Sequence, residues 1–153
     1  MKIRTIFKPT RSTILFRGML PLRKDGWTSN SFFLFPTSRE PSWMVDLKSG
    51  DRSESINPQE LVDKAKERFP NCFEIQALNH YEISGNSVYQ KFFNDKKYPN
   101  GMEGGPFETW ANAYYVNMFP FARFFTDIPL APIIVCNGDK WEDFIGIIMP
   151  IRR

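Results

Sequence analysis

The chain of 153 residues has 42% hydrophobic and 24% charged residues, the composition of one globular domain spanning residues 1–153. It has two cysteines, Cys72 and Cys136, whose separation excludes a Cys-x-x-Cys metal or redox site and favours two free thiols. No apolar run reaches the length that spans a membrane, and charged and proline residues interrupt the N-terminal apolar segment that a signal peptide needs. We therefore expect a cytoplasmic protein.

The N-terminal third is predicted to form short strands separated by loops. The predicted strands lie at Lys2–Lys8, Ser12–Arg17 and Trp43–Leu47, and the run at residues 31–35 is too short and too aromatic for a helix. Apolar and β-branched residues recur in these runs, and the Asp25-Gly26 pair is a turn signal between two of them. Residues 48–55 are polar and without periodicity, which predicts an exposed loop.

The strongest helix signal lies at residues 57–69. Asn57 is a suitable cap, Pro58 suits the first helical position, and an acidic residue follows three positions after the cap. Leu61, Ala65 and Phe69 recur at four-residue spacing, and Pro70 ends the run. The sequence therefore predicts an amphipathic helix of about three turns that packs on an apolar surface, which we expect to be a sheet.

The remainder of the chain returns to strand patterns. Residues 73–79 alternate, Gly85-Asn86 is a turn signal, and residues 88–93 fit either a strand or a short helix. A second short helix is allowed over 109–116. In the last third, Asn137-Gly138 separates two apolar runs, which predicts an antiparallel hairpin at the core of the sheet. The fold class predicted is α+β, mainly an antiparallel sheet.

Charge is distributed unevenly along the chain. Residues 1–24 contain seven basic residues and no acidic one, whereas the remaining residues contain thirteen basic and seventeen acidic ones. Such asymmetry favours a polyanion or an acidic partner at the basic end. The alternative is a solvated edge strand, where lysine prevents aggregation. The predicted RNA- or partner-binding residues are Lys2, Arg4, Lys8, Arg11, Arg17, Arg23 and Lys24.

Aromatic residues make up 16% of the chain, including fifteen phenylalanines and four tryptophans. Basic residues interleaved with aromatic ones suit single-stranded nucleic acid, through charge and through stacking on bases. We expect most of these rings to lie in the core, and an exposed remainder to bind protein more often than RNA.

No motif in the sequence identifies a catalytic centre. The single histidine, His80, could act as a general base beside Glu82, since alternate residues of a strand point the same way. One such pair is common by chance, and a second histidine for a metal site is lacking. The sequence predicts a non-catalytic protein without a cofactor or a metal.

The order of an aromatic N-terminal β region, helix LVDKAKERF, strand CFEIQAL and the ending GIIMPIRR resembles the small accessory subunits of type III-D CRISPR effector complexes. The resemblance rests on the size of the chain, on residues 61–78 and on Met149-Pro150. It implies a non-catalytic protein docked on larger subunits that hold a guide RNA. It implies no catalytic residues.

Three hypotheses of function follow. The first is a binding or assembly subunit of a ribonucleoprotein complex, with larger protein subunits and the RNA backbone as partners. The second is a phage or mobile-element antagonist that blocks a host defence protein through its acidic body. The third is an enzyme of unrecognised type that uses His80 and a glutamate.

Overall fold

The computed structural model describes residues 7–15, 19–50, 57–95 and 106–152. The described residues form a mainly antiparallel α+β structure, as predicted, with nine strands and only one helix longer than two turns. The helices are α1 (Arg11–Ile14), α2 (Ser42–Val45), α3 (Pro58–Arg68) and α4 (Ala113–Val116). The strands are β1 (Leu22–Lys24), β2 (Trp27–Ser29), β3 (Phe33–Pro36), β4 (Phe73–Ser84), β5 (Ser87–Asn94), β6 (Phe107–Asn112), β7 (Arg123–Thr126), β8 (Ile133–Cys136) and β9 (Phe144–Ile148).

All nine strands join in one sheet with the order β1-β2-β3-β9-β8-β7-β4-β5-β6. Strand β4 joins two parts of this sheet, because it pairs with β7 on one side and with β5 on the other. Its residues 73–75 pair with β7, whereas its residues 76–84 pair with β5, and the register shifts between Ala77 and Tyr81. A bulge of this kind bends a strand and increases its twist. We call the part formed by β4, β5 and β6 the β4–β6 segment.

The hairpin predicted around Asn137-Gly138 is confirmed as the centre of the sheet. Strands β8 and β9 pair antiparallel, and β8 is the fifth of the nine strands in spatial order. All four residues of β8 are buried, as are residues 145–148 of β9. Continuous apolar runs fit this position because both faces of these strands are covered.

Helix α3 is also confirmed and covers one face of the sheet. The side chain of Asn57 accepts a hydrogen bond from the backbone N–H of Glu60, and Pro58 occupies the first turn. Val62 and Ala65 are buried against the sheet. Beneath the helix, directly paired residues form one transverse row across five strands. The row consists of Ser29, Leu34, Ile147, Ile134 and Phe125.

The opposite face of the sheet holds the larger core, which also receives residues from α1, α2 and α4. Its central side chains include Phe33, Phe35, Ile133, Val135 and Ile148. These residues are 0–3% exposed. The aromatic excess of the sequence is therefore largely core, as expected.

Two predicted strands differ in the structure, and a third lies mostly outside the described residues. Residues 11–14 are helical, not strand, because Thr10 and Thr13 form a reciprocal capping box. The predicted strand Trp43–Leu47 is wrong because α2 occupies Ser42–Val45 and buries Met44. Residues 16–18 and 2–6, and with them most of the predicted strand Lys2–Lys8, lie outside the described residues.

The second short helix begins later than predicted. Residues 107–112 form β6 and pair with β5 along their whole length, so only Ala113–Val116 is helical. The Asn112 side chain accepts a hydrogen bond from the backbone N–H of Tyr114 and starts the helix there. Trp110 therefore lies in a strand, whereas Ala113 and Tyr114 lie in the helix.

Candidate nucleic-acid interface

The predicted basic residues separate into three groups. Lys2, Arg4 and Arg17 lie outside the described residues. Lys8, Arg11 and Lys24 are exposed. Arg23 is partly buried in an internal ion pair, so we leave it out of the candidate interface.

The guanidinium of Arg23 has several acceptors within the protein. Its Nε and Nη2 donate to the two carboxylate oxygens of Glu40 at 2.6 and 2.9 Å, and its nitrogens also donate to the carbonyls of Met44 and Leu47. Burial acts to raise the pKa of Glu40, but the hydrogen bonds from Arg23 and Thr28 and the charge of Arg23 outweigh it and lower the pKa. This arginine joins β1 to the α2 region.

The exposed basic residues Lys8 and Arg11 follow Phe7, which makes an aromatic contact. The ring of Phe7 lies 4.6 Å from that of Tyr81 and 6.1 Å from that of Tyr114, measured between centroids. The Asn117 side chain also donates a hydrogen bond to the carbonyl of Phe7 at 3.1 Å. The start of the described chain is therefore anchored on β4 and α4, and its two cations are at the surface.

Aromatic side chains gather on the outer face of the β4–β6 segment. Burial alternates along β5: Val88, Gln90 and Phe92 are buried, whereas the residues between them are partly exposed. Lys91 lies directly opposite Trp110 of β6, so these two side chains share a face with Tyr89 and Phe93. We call Tyr89, Phe93 and Trp110 the aromatic face.

Charged residues surround the aromatic face. The Nζ of Lys91 lies 2.5 Å from an Oε1 of Glu108, which is itself opposite Phe93. Ile151 forms an antiparallel bridge to Trp110, and exposed Arg152 follows it in the chain. The exposed His80 meets Trp110 edge to face, with 5.4 Å between ring centroids. The face therefore combines stacking surfaces with cations close by.

The sequence reasoning missed the aromatic face because it assigned most rings to the core and left residues 88–93 open between strand and helix. A signal was present. In VYQKFF the residues Tyr89, Lys91 and Phe93 alternate with Val88, Gln90 and Phe92, and a lysine among rings marks the first set as the solvent side. This alternation identifies the solvent side only if residues 88–93 form a strand. The pairing with β4 and β6 shows that they do.

The two thiols lie on the α3 side of the sheet as free cysteines. Burial raises the pKa of the Cys72 thiol to about 11 and that of the Cys136 thiol to about 12. Within the described residues, no group of three His, Cys, Asp or Glu side chains is placed to hold a metal ion. No helix in the described ranges is both long and apolar enough to cross a membrane.

Comparisons with known proteins add no family to this description. A scan of protein-family models, a search of curated proteins and a search of solved structures each found no match to this chain. The resemblance to type III-D accessory subunits therefore stays a prediction.

Proposed function

We propose that this protein is a non-catalytic binding subunit of a ribonucleoprotein complex, and that it holds single-stranded RNA on the aromatic face. The observation that carries the proposal is the arrangement of Tyr89, Phe93 and Trp110 around Lys91 on the outer side of a three-stranded antiparallel segment. Bases stack on such rings without regard to sequence, and each stacked base contributes about 1–3 kcal/mol. Larger protein subunits are the other proposed partners.

The buried side of the same segment supports this proposal. Phe92, Phe107 and Ala111 are 0% exposed, so the strands that carry the aromatic face are held from behind by the core. A rigid sheet presents its outer rings without first ordering them, which lowers the entropy cost of binding. Exposed Arg152, which follows the bridge between Ile151 and Trp110, is available for phosphates. Lys8 and Arg11 are exposed near Phe7, which contacts Tyr81 on the other side of the segment, so they would meet only an RNA that passes around its edge.

The proposal is tested with a labelled oligouridine of about twelve nucleotides, long enough for one or two stacking sites. Fluorescence anisotropy should show binding at low salt. The logarithm of the binding constant should then fall linearly with the logarithm of the salt concentration, since phosphate contacts release counterions. Phe93→Ala and Tyr89→Ala should each lower the affinity by about tenfold or more. The control is Phe121→Ala, which removes a ring that is 80% exposed and not part of the aromatic face.

Two results would contradict RNA binding at this face. One is the absence of binding at low salt, and the other is equal affinity of the Phe93, Tyr89 and Phe121 variants. The complex itself is tested by affinity purification from the native cell with and without ribonuclease. Large partners together with a small RNA would support the ribonucleoprotein, whereas one protein partner without RNA would favour the antagonist.

A further inference from the structure

A groove lies between α3 and the sheet, away from the aromatic face. Its volume is about 290 Å³. An engineered cavity of about 150 Å³ holds a benzene molecule, so the groove is close to twice that size. Its floor is part of the transverse row under α3, namely Ser29, Leu34 and Ile147. The helix contributes Leu61 and Lys64 to the opposite wall. The groove is thus large enough for a small organic molecule.

A buried hydroxyl in the lining of this groove has no hydrogen-bond partner in the described ranges of the chain. Ser29 is 2% exposed, and its Oγ contacts no donor or acceptor within the described part of the chain. The residues paired with it on the two neighbouring strands, Leu22 and Leu34, are apolar. An unpaired buried hydroxyl costs about 1–3 kcal/mol, so an oxygen supplied by a ligand would remove a real penalty.

The two cations of the groove differ in availability. Arg68 is committed to the protein, because it pairs with Asp127 at 2.6 Å and donates to the carbonyl of Pro132 at 3.2 Å. Among the described residues, Lys64 pairs only with Glu60, at 3.1 Å, and its side chain is 66% exposed. Pairs of this kind contribute little, so Lys64 can turn towards an anion at the groove at small cost.

We infer that this groove binds a small organic acid with an apolar body of about ten carbons, by comparison with the cavity that holds benzene. The apolar body lies over Leu34 and Ile147. The acid group accepts a hydrogen bond from Ser29 Oγ and is neutralised by Lys64. This site is independent of the proposed RNA-binding function, because its lining includes none of the residues of the aromatic face.

The test is calorimetric titration of the full chain with decanoate and, separately, with the neutral decanol. Decanoate should bind about tenfold more tightly than decanol, since hydrogen bonds to charged groups are the stronger ones. Ser29→Ala should lower the decanoate affinity by about tenfold. It should leave the thermal midpoint unchanged or higher, because the hydroxyl has no hydrogen-bond partner to lose among the residues that the structure describes.

A second pair of variants keeps the test decisive if Ser29→Ala does not fold. Lys64→Ala should lower the decanoate affinity by up to about fivefold, whereas Lys66→Ala, on the same helix but outside the groove, should leave it unchanged. Equal affinities for decanoate and decanol would overturn the assignment. So would decanoate affinities that neither Ser29→Ala nor Lys64→Ala changes.

Discussion

Arg23 and Glu40 form a two-point ion pair that joins β1 to the chain before α2. The carboxylate side chain of Glu40 is only 3% exposed, and that of Arg23 is 19% exposed. Thr28 also donates its hydroxyl to Glu40 at 2.6 Å. An isolated carboxylate that is buried to this extent would not remain charged. The opposite charge of each residue therefore offsets the cost of burying the other.

Glu40→Ala should destabilise the protein by about 3 kcal/mol, since it leaves a partly buried guanidinium without its counter-charge. The measurement is urea unfolding at pH 7, with Glu67→Ala as the control on the exposed side of α3. Glu40→Gln should lie between the two, because the amide retains the shape of the carboxylate and loses its charge. A Glu40→Ala protein as stable as the Glu67→Ala protein would contradict a structural role for the pair.

The stability conferred by Glu40 should depend on pH. Its pKa in the folded protein lies below the ordinary value of 4.5, so the folded state holds this proton less tightly than the unfolded state. The contribution is therefore fully present above about pH 5 and decreases as the pH falls through the lower folded pKa. The difference in unfolding free energy between wild type and Glu40→Gln should shrink between pH 5 and pH 3. A constant difference over that range would contradict the assignment.

Gly146→Ala should destabilise the centre of the sheet. A Cβ at this position would lie 2.5 Å from Cε1 of Phe119 and 2.7 Å from the carbonyl oxygen of Leu34, and a backbone oxygen in the sheet cannot move aside. Overpacking of this kind costs about 1–3 kcal/mol. Gly85→Ala is the control, because Gly85 has open space around it and only its φ of +60° opposes a side chain. Thermal unfolding should rank Gly146→Ala below Gly85→Ala, and the reverse order would exclude the steric explanation.

Both thiols should be inert in the folded protein. At pH 8 a thiol with a pKa of about 11 or 12 is almost wholly protonated, and Cys136 is 0% exposed, whereas the thiolate is the reactive form. Ellman's reagent should therefore react slowly before denaturation and release two equivalents in guanidinium. In the Cys72→Ser variant, Cys136 is the one remaining cysteine, so any reaction of the native variant is assigned to Cys136. Rapid modification of that variant in the native state would contradict the burial of Cys136.

The raised pKa values of the two thiols also predict that the protein loses stability at alkaline pH. Their pKa values are raised, so the unfolded chain releases these protons at lower pH than the folded one does. The contribution is present below the ordinary thiol value of 9.0 and is lost as the pH rises through the folded values. Between pH 8 and pH 10, the free energy of unfolding of Cys136→Ala should depend less on pH than that of wild type. An equal pH dependence would contradict the desolvation of the Cys136 thiol.

Glu108→Gln should strengthen RNA binding at the aromatic face. Glu108 neutralises Lys91 and repels phosphate in the free protein, so removing its charge releases the lysine for the RNA backbone. The affinity for oligouridine should rise. The slope of the logarithm of the affinity against the logarithm of the salt concentration should steepen by the amount that about one additional phosphate contact produces. Lys91→Ala should act in the opposite direction. An unchanged affinity in both variants would place the RNA contacts elsewhere.

Local signals predicted the elements that are complete within a short stretch of chain. The cap at Asn57 and the four-residue spacing that follows define α3 without reference to the rest of the molecule. The Asn137-Gly138 turn between two apolar runs likewise identifies the β8–β9 hairpin. By contrast, the run STILFR has the apolar content of a strand, yet residues 11–14 are helical through side-chain hydrogen bonds between Thr10 and Thr13.

The sequence by itself determined the α+β class, helix α3, the central hairpin and the uneven charge, because each depends on composition or on neighbours a few residues apart. Only the tertiary structure decided which face of β5 is exposed, that Arg23 meets Glu40, and that the Ser29 hydroxyl beneath α3 has no hydrogen-bond partner among the described residues. Each of these depends on pairing between strands distant in the sequence. A period of two defines two faces of a strand, but only the packed neighbours determine which of the two meets water.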